Sequence, residues 1–212
     1  MSKLYWRFGP MNCGKSAQIA MVAFNYRSIG KTPFVIKPAI DTRSSRSIIS
    51  RIGALSLTAD IVTHPGDNLY GIIHDLEQKP DVVIVDEAQW LTTDQVDQLF
   101  LVAVELDIPV MCYGLRTDYR GELWRAAGRL FALAHDIQEL KMVCHCGRKA
   151  MFTHMTADPA NAVIDDNGEP ILIGASESYD ALCAEHFIND TTYDNSLTNA
   201  VATATAWRRG AA

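Results

Sequence analysis

The sequence predicts an α/β fold, a parallel sheet with helices packed on it, followed by a small second module. Three observations predict this. Short β-branched runs alternate with segments of helical periodicity through the first 140 residues, the pattern of βαβ units. One run, "DVVIVDE" (81–87), is apolar without alternation, as a strand buried on both faces must be. Beyond about residue 141 the composition shifts: cysteines come in close pairs, and the polar stretch "HMTADPANAVIDDNGEP" follows.

In chain order, "LYWRF" (4–8) is the first expected strand and runs into a glycine-containing loop, after which 16–27 has the composition of a helix. "PFVIK" (33–37) is a second strand. The segment 40–53 is polar and rich in Ser and Arg, and is expected to be a mobile loop. "DNLYGIIHDLEQ" (67–78) reads as a helix opened by an Asp or Asn cap. After the 81–87 strand, Thr92 or Thr93 caps a helix on which Val96, Leu99, Phe100, Ala103 and Leu106 recur at spacings of three or four and form one apolar face. "IPVMCYG" (108–114) is a further strand and "ELWRAAGRLFALA" (122–134) a further helix. "ILIG" (171–174) is a short strand of the second module. The division is therefore 1–140 for the core, 141–190 for the second module, and 191–212 for a tail rich in Thr, Ala and Asn that is expected to fray. No internal repeat is present.

The chain has 212 residues, of which 48% are apolar and 21% charged, enough for a sizeable core and incompatible with wholesale disorder. Its formal net charge of −6 argues against a general nucleic-acid binder or a protein held on an anionic membrane. No apolar stretch approaches the length of a membrane span or a secretory leader, so a cytoplasmic protein is expected. Five cysteines are an odd number, and three of them, Cys144, Cys146 and Cys183, sit late and in a pattern suited to metal rather than disulfides.

Residues 9–16, "GPMNCGKS", satisfy G-x-x-x-x-G-K-[ST] between an expected strand and an expected helix. In the loop Gly9, Pro10, Met11, Asn12, Cys13 and Gly14, the glycines would let backbone N–H groups turn inward around phosphate oxygens. Lys15 would supply a point charge to the terminal phosphates, and the Ser16 hydroxyl a ligand for Mg²⁺. The alternative is a tight βα turn that happens to carry Lys-Ser. A site of this kind needs a second acidic group for magnesium, and Asp86 is placed for it at the C-terminal end of the buried strand. The adjacent Glu87 could take a proton from an attacking hydroxyl, or it could be an ordinary exposed acid. A P-loop followed by "DE" suits ATPases as well as kinases. Cys13 is read as a small loop residue without a role, although its thiol is oxidisable.

Cys144 with Cys146, and Cys183 with His186, form two local pairs of soft ligands that suit a tetrahedral structural zinc site. His145 lies inside the first pair and could substitute as a ligand. Such a site would staple the base of a loop spanning 147–182 and leave catalysis to other residues.

"GPMNCGKS", "DEAQW" (86–90), "CYGLRTDYRGELW" (112–124), the two cysteine-containing pairs and "ILIGASESY" (171–179) together resemble the type II (cellular-class) thymidine kinases, most closely the bacterial branch, in order from about residue 4 to 189. The resemblance implies a P-loop (RecA-like) parallel sheet flanked by helices, with a small zinc-binding lasso domain that closes over the nucleoside. It implies transfer of the γ-phosphate of ATP, bound with Mg²⁺, to the 5′-hydroxyl of thymidine, or of deoxyuridine, giving dTMP in pyrimidine deoxynucleotide salvage. It carries Glu87 over as general base, residues 9–16 with Asp86, Glu87, Ala88 and Gln89 as the nucleotide site, and Ser16 and Asp86 as magnesium ligands. The base would be gripped through main-chain groups of Leu172, Ile173 and Gly174, with Tyr179 near them and Tyr119 packed on the ring. Met11, Trp90, Leu115 and Trp124 match pocket walls, and ordinary core packing is an equal reading for the tryptophans and for Tyr119. Asp41 and Arg43 match a motif near the phosphates, and Arg116 and Arg120 are either charge-screening or solvated. Ala175 departs from a glycine common in relatives. Further implications are a homotetramer and feedback inhibition by dTTP, with no nucleic-acid or membrane partner. Two other classes fit the bare motifs: an ATPase coupling hydrolysis to motion or assembly, and a regulatory zinc module that only binds nucleotide.

Overall fold

A computed structural model describes residues 1–41, 47–49, 56–156, 163–164, 170–171, 179–190 and 200. The elements of the first part are β1 (Leu4–Phe8), α1 (Lys15–Ser28), β2 (Pro33–Pro38), β3 (Ser47–Ile49), β4 (Ser56–Thr58), β5 (Ile61–Thr63), α2 (Leu69–His74), β6 (Val82–Val85), a single 3₁₀ turn (Ala88–Trp90), α3 (Thr93–Glu105), β7 (Val110–Gly114), α4 (Arg125–Leu133) and β8 (Asp136–Glu139). Six of these strands form one sheet in the order β5-β2-β6-β7-β1-β8, and every pairing in it is parallel.

The sheet is covered on both faces, as its apolar strands require. On β6, Val83 and Val85 join Leu4, Trp6, Val110 and Cys112 in a core closed by α2, α3 and α4. Val82 and Ile84 face the other way, toward Ile19 and Ala23 of α1. All four β6 side chains are fully buried, which is why that run lacks polar alternation. The α3 N-terminus is closed by the capping box that Thr92 and Gln95 make. No helix among the described residues is long and apolar enough to cross a membrane.

Several expectations need correction. The segment expected as a mobile loop contains β3, which pairs antiparallel with β4. Ile48 and Leu57 of that hairpin are buried against the α1 face of the sheet, an anchorage that Ser- and Arg-rich composition conceals. Residues 42–46 and 50–55 lie outside the described residues. Helix α2 covers Leu69–His74 rather than 67–78. Asn68 opens it through a bond from the Gly71 N–H, and the Lys79 ammonium folds back onto the carbonyls of His74 and Leu76. Helix α4 begins at Arg125, not 122. The preceding residues are diverted because Asp118 captures the N–H groups of Arg120 and Glu122 and makes a compact turn. Strand β8 was not anticipated at all: "DIQE" is polar because it is the exposed edge of the sheet.

The second module holds β9 (Met142–Val143), β10 (Lys149–Ala150), β11 (Phe152–Met155), β12 (Val163–Ile164), β13 (Pro170–Ile171), β14 (Tyr179–Leu182) and α5 (Ala184–Asp190). Three small antiparallel pairs result, β9–β10, β11–β14 and β12–β13. Cys144, Ala150, Leu182, Cys183 and Phe187 form a separate small core, on which Phe152 stacks against Phe187 at 4.3 Å.

Candidate active site

The parallel sheet sets the site. Phe8 pairs with Gly114, and Val85 with Cys112, so β1, β7 and β6 end together at one edge. The loops leaving those three strands therefore converge at the place where open α/β sheets hold ligands.

The first loop carries residues 9–14. Asn12 and Gly14 have positive φ, 65° and 89°, and turn the chain into the start of α1. Gly9 is obligatory for a different reason: a Cβ there would lie 2.6 Å from the Cys13 sulfur and 2.7 Å from the Leu140 carbonyl oxygen. Lys15 is buried at 7% exposure, and its ammonium donates to the carbonyls of Gly9 (3.2 Å) and Pro10 (2.9 Å). Ser16 follows it on the first turn of α1.

The second loop begins at Asp86. Asp86 and Glu87 are buried, at 4% and 7% exposure. The Glu87 N–H donates to the Asp86 carboxylate at 2.9 Å. Glu87 itself adopts a left-handed conformation (φ 49°, ψ 42°), uncommon for a residue with a side chain and a mark of functional strain. Gln89 Nε2 donates to Glu87 Oε2 at 2.7 Å, and Gln89 Oε1 accepts the Leu115 N–H at 2.9 Å. Ala88 is buried beneath them.

The third loop, after β7, presents Leu115 and Tyr119, both buried. Burial pushes the Tyr119 hydroxyl above its ordinary pKa, with the Arg120 guanidinium, 5.8 Å from the ring, opposing. Asp118 is buried and paired with Arg120 at 2.7 Å, so Arg120 has a structural partner. Trp124 is a core residue packed with Leu115, and Met11 and Trp90 pack on the same core. Tyr179 lies on β14 opposite Met155. Leu172, Ile173, Gly174, Ala175 and Arg43 lie outside the described residues, as does the tail from 191 except residue 200.

The chain that follows β8 returns to this edge. Leu140 N–H donates to the Phe8 carbonyl at 2.7 Å. Met11 N–H donates to Thr153 Oγ1 at 3.2 Å. Arg116 donates to the Met151 carbonyl at 3.2 Å and lies over the rings of Phe8 and Phe152. Sequence reading missed Thr153, because nothing local ties it to the loop more than a hundred residues earlier. It also missed Lys37, fully buried at the end of β2 beside β6, whose ammonium is 3.3 Å from Asp41. A lysine inside the expected strand "PFVIK" was the available signal, since buried lysines are paired or functional.

Cys144, Cys146, Cys183 and His186 bring three sulfurs and a ring nitrogen within 4.8 Å of one another. The Cys146 and Cys183 sulfurs are 3.8 Å apart, and His186 Nδ1 is 3.3 Å from Cys144 and 3.4 Å from Cys183. A tetrahedron with zinc–sulfur arms of about 2.3 Å has edges of about 3.8 Å, so the group fits zinc. The choice left open between the two histidines falls to His186, since His145 Nδ1 is 3.9 Å from Cys144 and outside the four. Burial opposes the Cys144 thiolate, but the N–H groups of Cys146 and Cys183 and the His186 ring bring its pKa down to about 6. The Cys144 sulfur in turn raises the pKa of His186. The Cys144 sulfur also raises the Cys146 thiol, so Cys144 is the thiolate of the group, beside a tight turn at Gly147 (φ 84°).

A profile of the family described as "Thymidine kinase" matches residues 2–187. A protein of Legionella pneumophila (strain Paris) named "Thymidine kinase" is 44% identical over 191 residues, covering 88% of this chain and 90% of that one. Proteins of the same name from Rhodopirellula baltica and Enterobacteria phage T4 are 40% and 41% identical over 190 residues, covering 88% of this chain and 88% and 96% of theirs. Fold, site and these matches define an enzyme of the kinase class. Within that class, the chain belongs to the thymidine kinase family.

Proposed function

We propose that the protein transfers the γ-phosphate of ATP to the 5′-hydroxyl of thymidine, and of deoxyuridine, giving dTMP, with Glu87 as general base. The observation that carries the reading is the buried Asp86–Glu87 pair at the end of β6, at the same sheet edge as the 9–16 loop. Residues 9–16 bind the ATP phosphates, with Asp86, Glu87 and Ala88 as the facing wall and Gln89 packed behind Glu87. Ser16 and Asp86 are the side chains that would hold Mg²⁺, which would offset the charge of the phosphates. Glu87 accepts the 5′-hydroxyl proton. Tyr119 and Tyr179 pack around the thymine, and the main chain at Leu172, Ile173 and Gly174 reads its edge. Zinc on Cys144, Cys146, Cys183 and His186 is structural and holds the stem of the lasso closed.

The core at 1–140 and the lasso at 141–190 act as separate units meeting over the site, with 191–212 as a tail. The unpaired state of the described cysteines supports a cytoplasmic location. Helix α1 exposes Met21 (56%) and Phe24 (67%) one turn apart, which supports assembly of copies, a homotetramer in the reading taken here. Feedback inhibition by dTTP follows from its being the thymidine base joined to a triphosphate, able to bridge both subsites.

Lys15→Ala is expected to weaken ATP binding and turnover together, because one ammonium serves the β/γ-phosphates and also ties the Gly9 and Pro10 carbonyls. Calorimetry with ATP checks this, and normal affinity counts against a phosphate-binding loop here.

Substrate choice tests the whole reading. Deoxycytidine replaces the O4 acceptor and N3–H donor of thymine with a donor and an acceptor. Against a main-chain reader, two mismatched bonds at about 1–3 kcal/mol each imply discrimination on the order of 10²–10⁴-fold in kcat/KM. Deoxyuridine keeps the edge and lacks only a methyl, worth on the order of 1 kcal/mol. ADP release is measured across a panel of nucleosides. Release that ignores thymidine marks an ATPase, and comparable kcat/KM for deoxycytidine and thymidine removes the thymidine assignment.

A further inference from the structure

The geometry points to Gln89 as a positioning residue that aims the Glu87 carboxylate. This rests on Glu87 being the general base. Gln89 is buried, at 2% exposure, and spends both ends of its amide on the protein. Its Nε2 donates to Glu87 Oε2 at 2.7 Å, and its Oε1 takes the Leu115 N–H at 2.9 Å. The side chain is therefore a strut between the loops that follow β6 and β7.

The surrounding chain is shaped to admit that strut. Gly114 ends β7 directly beneath it. A Cβ at that position would lie 2.4 Å from Gln89 Oε1, 3.1 Å from Gln89 N and 2.9 Å from the Trp6 ring. Glu87 stands in a left-handed conformation, and such a conformation persists only where neighbours over-determine it. Its backbone N–H is held by Asp86 and its carboxylate by Gln89. Rotating the carboxylate away breaks a buried bond and leaves the Gln89 Nε2 donor to find another partner. Gln89 thus serves the transfer by fixing the base, while the nucleotide is read by other groups.

The test exploits the two ends of the amide. Gln89→Glu keeps an oxygen to accept the Leu115 N–H, so the strut to β7 survives. It replaces the donor facing Glu87 with a second carboxylate oxygen, and two buried carboxylates this close stay in contact only by sharing a proton, so the free, aimed base is lost either way. The expected result is a fall in kcat on the order of 10²-fold, with the thymidine KM and the ATP Kd within about threefold of the parent protein. Gln89→Asn, one methylene short at the same buried site, should lower kcat with the same split and serves if the first variant does not fold. A kcat within about threefold of the parent in a folded Gln89→Glu protein overturns the proposal, as does a loss confined to KM or to ATP affinity. Glu87→Gln is assayed in parallel. If it is inactive while Gln89→Glu is active, only the role of Gln89 fails. If both are active, the assignment of Glu87 as base fails first.

Discussion

Glu87→Gln is expected to lose between about 10² and 10⁴ of kcat while ATP still binds. The substitution is nearly isosteric and leaves the backbone N–H bond to Asp86 in place. Only the acceptor for the 5′-hydroxyl proton is removed. The left-handed backbone at Glu87 is a property of the turn and carries over to glutamine at similar cost. One local change accompanies the loss of charge: the amide of Gln89 faces an amide instead of a carboxylate, which the new side chain meets by turning its oxygen toward Gln89 Nε2, since Gln89 Oε1 is held by the Leu115 N–H. Single-turnover phosphoryl transfer and calorimetry with ATP separate chemistry from binding. A folded mutant that keeps more than a tenth of parental turnover removes Glu87 from the mechanism.

Cys183→Ala is expected to take zinc from about one atom per chain to below about a tenth, and to unfold the second module while the sheet stays intact. The reason is the size of that module's core. Among the described residues its core cluster has five buried side chains, two of them the proposed ligands Cys144 and Cys183, too few to hold so short a segment without a cross-link. The large sheet carries its own core through β6 and the helices on either face. A ligand present at about 1,000 times its Kd protects its folded form by a factor of about 10³. Amide exchange in β11, β14 and α5 should accelerate by on the order of that factor, and exchange in β6 should not. Elemental analysis checks the first half and hydrogen-exchange mass spectrometry the second. Full zinc content in the Cys183→Ala protein dismisses the site. His145→Ala should keep its metal, because His145 lies outside the ligand group.

Legibility followed the range of the interactions involved. β6 was plain because burial on both faces leaves four apolar residues in a row, and the carboxylate pair follows at a fixed chain distance. The α3 cap was legible to within one residue, Thr92 or Thr93, and the bonds that Thr92 and Gln95 exchange decide for Thr92. The two local pairs, Cys144 with Cys146 and Cys183 with His186, were readable in the sequence, with His145 as an alternative; that the four ligand atoms come within 4.8 Å of one another was not. β8 was invisible because an edge strand can be polar on both faces. The ends of α2 and α4 were misplaced because side chains outside the periodic pattern, Lys79 and Asp118, capture the backbone groups there. The strut at Gln89 could not be read at all: "DEAQW" places it two residues from Glu87, but its other partner, Leu115, comes from the next strand.

The candidate phosphate loop is closed from the far end of the chain, and this has a consequence for how the protein is made. Met11 bonds to Thr153, 142 residues later, and Gly9 is packed under the Leu140 carbonyl. At synthesis rates of about 5–20 residues per second, roughly 7–30 s separate the appearance of the loop from that of its last partner. The N-terminal strand cannot even take its place before β7 and β8 emerge to flank it, since it lies between them in the sheet. Long-range closures of this kind slow folding. The nascent chain therefore carries the candidate phosphate loop unassembled until Thr153 has emerged, and ribosome-bound fragments ending before Thr153 should be unable to hold ATP in the finished geometry.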